Sequence, residues 1–326
     1  MAVYTDLKQE EIITFLSLYN IGNLVSFYGI TEGIENSNYH LKTTNGDFIL
    51  TLFEKRTDKN DLPFFINILM YLNDRKFKCP KPIMDNKGNY LQILLGKPTV
   101  IVDFLKGKSK TKLTIEDNFA VGSTMAKMHL CSKEFNMKRV NSLSISGWEE
   151  LLYKCDRSIS KIILNKIEPN IIEEMKNSLD FCKKKWPNNL PLGFIHADMF
   201  PDNVFFKDNK ISGVIDFYFS CTDILVYDLA IAVNAWCFDN DEIFNKNKFK
   251  SLIDGYQSIR KLSKEELFYL PLLSQAAALR FLLTRIYDWA HTPKNANVIP
   301  KNPKEYIQKM RFHETISNNK NYGEIQ

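Results

Sequence analysis

The six cysteines, at positions 79, 131, 155, 182, 221 and 237, include no CxxC pair, so the chain offers neither a zinc knuckle nor a dithiol redox motif. Scattered thiols of this kind fit a reducing cytosol. A long hydrophobic run is missing too. The most apolar stretch, LPLLSQAAALRFLL at 270–283, is interrupted by Ser274, Gln275 and Arg280 and falls short of a membrane span. Residues 1–20 carry Asp6, Glu10 and Glu11 and lack the basic start and apolar core of a secretion signal, which predicts a cytoplasmic protein with no membrane partner. Nor do the lysines gather into a basic stripe interleaved with aromatics. The net charge of +5 is spread over 326 residues, and nucleic acid is not expected as a partner.

What remains is a globular composition, 25% charged and 44% apolar, in a chain long enough for two lobes. The first hundred residues read as a helix over 6–19, then strands at 25–30, 38–44 and 47–55, with Asn45-Gly46 marking a hairpin. A helix over 61–77 stops before Cys79-Pro80, and strands at 89–94 and 98–105 complete a mainly antiparallel sheet. From Gly107 onward helical periodicity dominates, at 114–130, 148–160, 164–185, 223–236, 248–258 and 264–290, and the Asn/Lys-rich tail after 313 is expected to fray. The expected fold is α+β and bilobal: a small N-terminal antiparallel sheet lobe with one helix, residues 1–105, and a larger, mainly helical C-terminal lobe, residues 106–326, joined by a hinge about 99–107.

The chemistry concentrates in FIHADMFPDNVFF at 194–206. An aspartate followed five residues later by an asparagine, with a histidine two residues ahead, suits phosphoryl transfer from ATP: a carboxylate to receive a hydroxyl proton and an oxygen ligand for Mg2+. Downstream, VFF, KDNK and ISGVIDF form a hairpin entered at Asn203 and left at Asp216, which sets two oxygen ligands side by side. Asp216 also ends a buried strand, where an ionised carboxylate is costly unless paired or metal-bound. His196 reads as a packed, hydrogen-bonded strut.

Together with GVIDFYFSCTDILVYDLA, this stretch resembles the phosphotransferase superfamily of aminoglycoside and choline kinases, whose protein-kinase-like fold has the two lobes described. Closer likeness to the homoserine kinase members of that superfamily lies in GIENSNY (33–39), FILTLFEKR (48–56), DLPFF (61–65), YDLAIAVNAWCF (227–238) and RFLLTRIYDW (280–289). The resemblance implies an ATP-dependent kinase that forms O-phospho-L-homoserine for threonine synthesis, homoserine being its small-molecule partner. Asp198 would orient or deprotonate the hydroxyl, Asn203 and Asp216 would bind magnesium, and Asp228 would brace the catalytic loop, although an ordinary helix N-cap suits Asp228 equally. TVIVDF (99–104), centred on Val102, resembles the segment whose backbone reads the adenine edge. Another small alcohol, an aminoglycoside or choline among them, stays open as acceptor, as does a pseudokinase that only binds nucleotide.

Several departures from the pattern qualify that reading. Thr51 takes the place of the third-strand cation that usually holds the phosphates, leaving Lys55, on the same strand parity, to reach instead, in competition with Lys42. The helix 61–77 has no glutamate to pair with such a lysine, and the loop TEGIENS has one glycine, so Asn36, Ser37 and backbone amides are expected to meet the phosphates. Asp216-Phe217-Tyr218 in place of Asp-Phe-Gly favours a small-molecule acceptor. A zwitterionic acceptor calls for a cation and a carboxylate, for which Arg280, Asp202 and Tyr218 are candidates, with a salt bridge from Arg280 to Asp223 the structural alternative.

Overall fold

The computed structural model describes residues 4–30, 36–54, 58–240, 242–292, 300–316 and 322. After helix α1 (Gln9–Leu16), strands β1 (Leu24–Ile30), β2 (Ser37–Thr43) and β3 (Gly46–Leu52) are followed by helix α2 (Leu62–Asp74) and strands β4 (Leu91–Leu94) and β5 (Lys97–Asp103). The five strands form one antiparallel sheet in the order β1-β2-β3-β5-β4. Strand alternation divides its two faces. Tyr39, Leu41, Leu50, Leu52 and Ile101 face α1 and pack with Ile12, Phe15 and Leu16 in one core. The opposite face carries Asn38, His40, Ile49, Thr51, Val100 and Val102, paired across strands as Asn38 with Thr51, His40 with Ile49, Thr51 with Val100 and Ile49 with Val102. That face looks toward the second lobe.

α2 is amphipathic by its own sequence, with Pro63 tolerated in the first turn, and it buries Phe65, Ile68 and Leu72. Those residues belong to a core that continues into the C-terminal half, so α2 packs against the second lobe as well as its own sheet. The chain leaves the sheet after Asp103 and crosses through Phe104 to Lys108. Gly107 is required there. It holds a φ of +148°, and a Cβ at that position would lie 2.3 Å from Ser212 Oγ and 3.0 Å from the Phe206 carbonyl.

The second lobe contains α3 (Ile115–Cys131), α4 (Ile145–Ser158), α5 (Lys161–Ile167), α6 (Ile171–Lys185), α7 (Leu225–Trp236), α8 (Lys246–Gln257), α9 (Lys264–His291) and α10 (Lys304–Glu314). The single helix expected over 164–185 is two, because Glu168 is extended and Asn170 is left-handed between α5 and α6. α10 was not foreseen. α9 is long and apolar enough to cross a membrane by length and composition, about 42 Å, yet 67% of its most apolar window is buried, against α4, α6, α7 and α10. Tyr322, in the tail expected to fray, is buried and lies 2.7 Å from His313 through its hydroxyl; residues 317–321 and 323–326 lie outside the described residues. All six cysteines are free thiols, five of them buried.

Two short ribbons frame the site. β6 (Leu192–Ile195) pairs with β9 (Cys221–Ile224), and β7 (Val204–Lys207) pairs with β8 (Lys210–Val214), all antiparallel.

Candidate active site

The loop from His196 to Asn203 leaves the end of β6 and is fixed from beneath by one carboxylate. Asp228 accepts the backbone N–H groups of His196 (2.9 Å) and Ala197 (2.8 Å) and lies 3.1 Å from His129 Nε2. Burial alone would raise its pKa, but the hydrogen bond and charge of His129 and the contacts with His196 outweigh that and hold the carboxyl below its ordinary range. Helix α7 begins at Leu225 with Ile224 as its N-cap, so Asp228 stands inside the first turn and its side chain serves the loop. The bracing takes strain: Ala197 sits at φ +62°, a conformation most side chains avoid.

His196 is the strut its sequence context suggests. Its Nδ1 accepts from the Asp198 N–H (3.2 Å) and its Nε2 donates to the Ile215 carbonyl (3.0 Å), which is the neutral tautomer, and burial lowers its pKa. The same imidazole therefore joins the loop to the strand that ends at Asp216.

Asn203 donates Nδ2 to both the backbone carbonyl (2.8 Å) and the Oδ2 (3.0 Å) of Asp198. It also precedes β7, while Asp216 follows β8, and the Ile215 N–H donates to the Asn203 carbonyl (2.9 Å) at the open end of that hairpin. Asp198, Asn203 and Asp216 thus converge. Burial raises the pKa of Asp198 well above the usual carboxyl value, and the neighbouring Asp216 raises it further; Asp216 is pushed up to about 6 by burial, offset in part by the Tyr218 N–H. Burial is the main cause for both carboxyls.

The other candidates are dispersed. Asp202 stands at the exposed lip, 3.1 Å from Lys301. Arg280, expected to face an acceptor or to pair with Asp223, forms no ion pair with Asp223. It is 1% exposed, donates Nη1 to the Ala197 carbonyl (2.7 Å) and stacks on Phe281, because a guanidinium on the core face of α9 needs an oxygen within the protein. Asp223 is held instead by Asn141 (2.6 Å) and by the Ile224 N–H. Tyr218 packs edge-on against Phe53 and Phe65.

In the sheet lobe, Ser37 is fully buried on the sheet face that packs against α1. Strand parity places it with Tyr39 and Leu41, where its hydroxyl accepts from the Tyr4 and Thr5 N–H groups and donates to Glu54. Asn36 accepts from the Glu54 N–H, and Glu54 is ion-paired with Lys97. Asn38, one position on and not singled out in the sequence, lies on the opposite face of the sheet and accepts from Thr51 Oγ1 (2.7 Å). The alternation of buried Tyr39 and Leu41 was the signal for it. Lys55 lies outside the described residues, and β3 ends at Leu52. Val102 is paired with Ile49 on one side and bridged to Pro82 on the other, so its backbone is engaged by the sheet.

A model of the family described as phosphotransferase enzymes matches residues 27–262. The chain belongs to the phosphotransferase enzyme family. Among its relatives, a homoserine kinase of Agrobacterium fabrum is 47% identical over 323 residues, 99% of each chain, and one of Brucella anthropi is 46% identical over 99% of this chain and 98% of the other. Solved structures share the bilobal fold of this phosphotransferase: an amicoumacin kinase in complex with AMP-PNP, Ca2+ and Ami (TM-score 0.71, 14% identity, 94% and 92% of the two chains) and a spectinomycin phosphotransferase with ADP and spectinomycin (0.68, 14%, 98% of each).

Proposed function

We propose that this phosphotransferase transfers the γ-phosphoryl group of ATP to the side-chain hydroxyl of L-homoserine, giving O-phospho-L-homoserine for threonine synthesis. The observation that carries the choice of acceptor is the identity of 45–47% to homoserine kinases along nearly the full length of both chains. The chemistry rests on the convergence of Asp198, Asn203 and Asp216.

With Asn203 holding Oδ2, Asp198 keeps Oδ1 to accept the hydrogen bond of the acceptor hydroxyl and take its proton as the oxygen attacks. Asp216 and the amide oxygen of Asn203 form a hard-oxygen donor set that fits magnesium; among the described residues no cluster of three His, Cys, Asp or Glu side chains competes as a metal centre. Magnesium bound there would neutralise charge on the phosphates. The adenine edge is assigned to the connection just beyond Val102, where the N–H groups of Leu105 and Lys106 have no partner among the described residues, whereas that of Phe104 is bonded to the Asp47 carbonyl. Asn38 and Thr51 stand where the strand cation is missing and face the phosphates.

Incubation with Mg-ATP and a panel of L-homoserine, choline and an aminoglycoside, followed by ADP release, tests the reading. ADP release with homoserine alone is expected. Release with another acceptor but not with homoserine would move the reading to that alcohol, and none with any of them would leave a nucleotide-binding module.

A pH effect follows from the raised carboxyls. Asp216 binds its proton more tightly folded than unfolded, so the stability it contributes is complete below its unfolded pKa and lost as pH rises through about 6. In EDTA the melting temperature should fall between about pH 4 and about pH 6, and added magnesium should raise it more above that window than below, since the cation replaces the proton. Scanning fluorimetry would show this; a magnesium shift independent of pH would contradict it.

A further inference from the structure

Away from the cleft, one arginine joins the lobes. Arg139, between α3 and α4, donates Nε to Asp61 (2.6 Å), the residue preceding α2, and Nη1 to the Ser220 carbonyl (3.1 Å), four residues beyond Asp216. Its guanidinium lies 5.1 Å from the centroid of Phe65 on α2. The backbone of Arg139 is itself fixed to the same loop: its N–H donates to Thr222 Oγ1 (3.3 Å), its carbonyl accepts from the Thr222 N–H (2.8 Å), and Val140 bridges Thr222 in parallel. The side chain is 15% exposed and that of Asp61 29%. One cation therefore touches the start of α2, its apolar face and the segment leaving the Asp216 loop.

Kinases whose strand lysine pairs with a helix glutamate use that pair to set the helix against the metal site. Here the strand position holds Thr51, and α2 has no glutamate. We propose that Arg139 is a positioning residue for phosphotransfer, and that its ion pair with Asp61 locks α2 to the loop carrying Asp216 in place of the missing lysine–glutamate pair. Tyr218, packed between Phe53 and Phe65, is the apolar half of the same junction. This rests on the phosphotransfer reading given above. The pair is part-buried, so variants that keep side-chain size are chosen, and a folded protein in which the loop is loosened is the expected result.

Arg139→Met keeps the stem against Phe65 and removes the charge; Asp61→Asn keeps the shape of its partner. Each should lower kcat about tenfold or more and raise the magnesium concentration for half-maximal rate about fivefold. Independently of activity, hydrogen exchange in the metal-free protein should quicken about tenfold at the Ser220 and Thr222 amides, even for Asp61→Asn, whose change lies across the junction. The double variant should be no worse than Arg139→Met alone. Unchanged exchange after Asp61→Asn, or effects that multiply in the double variant, would overturn the proposal, as would folded single variants within about twofold of wild type in both rate and magnesium dependence. A wild type inactive with every acceptor would count against the phosphotransfer reading instead, and the exchange rates would still decide the junction.

Discussion

Asp198→Asn should reduce turnover with Mg-ATP and L-homoserine by about 10²–10⁴-fold, the range attributed to a positioned general base. The substitution preserves size, so the loop held by Asp228, His129 and His196 should keep its shape. What disappears is the oxygen able to take a proton, and the contact from Asn203 Nδ2 becomes amide against amide unless the new side chain turns its carbonyl toward it. Nucleotide binding should survive, because a carboxylate whose pKa is raised by burial and by Asp216 is a strained element of the site, not a support of it. Removing that negative charge favours ionised Asp216. Calorimetry with an ATP analogue beside steady-state kinetics would separate the two effects. A folded Asp198→Asn enzyme with near-wild-type kcat would remove Asp198 from the chemistry.

Asp228→Ala should act on stability first and activity in consequence. Its carboxylate is fully buried and serves two backbone N–H groups and His129, so truncation strands three polar partners in the core. Breaking a buried charged network in this way costs about 3–5 kcal/mol. The sign with pH is opposite to that of Asp216: a folded pKa held low means the stabilisation is present above the unfolded pKa and is lost as pH falls through the folded one. The difference in urea unfolding free energy between wild type and Asp228→Ala should therefore be largest near neutral pH and shrink in acid. A loss under about 1 kcal/mol would mean that the loop is supported elsewhere, with Arg280 beneath Ala197 the alternative prop.

Much of this architecture was written in local sequence. The Asn45-Gly46 turn, the strand alternation and the Pro63 helix start gave the sheet lobe to within a few residues, because each depends on neighbours in the chain. The five-residue spacing of Asp198 and Asn203 and the hairpin leading to Asp216 gave the convergence for the same reason. Side-chain direction across long separations was not legible. The contact of Arg280 with the Ala197 carbonyl and the edge-on packing of Tyr218 on Phe53 and Phe65 each join residues far apart in the chain. A one-residue matter of parity decided Asn38 over Ser37, and placing β2 from Asn38 onward hid it. α10 was missed because its packing on α9, not its own amphipathicity, sustains it.

The most direct test is a crystal structure of the protein with Mg2+, a non-hydrolysable ATP analogue and L-homoserine. The metal is expected between the Asn203 amide oxygen and the Asp216 carboxylate, with the homoserine hydroxyl about 3 Å from Asp198 and in line with the γ-phosphate. Nucleotide and metal bound away from these residues, or a homoserine hydroxyl directed elsewhere than Asp198, would contradict the account.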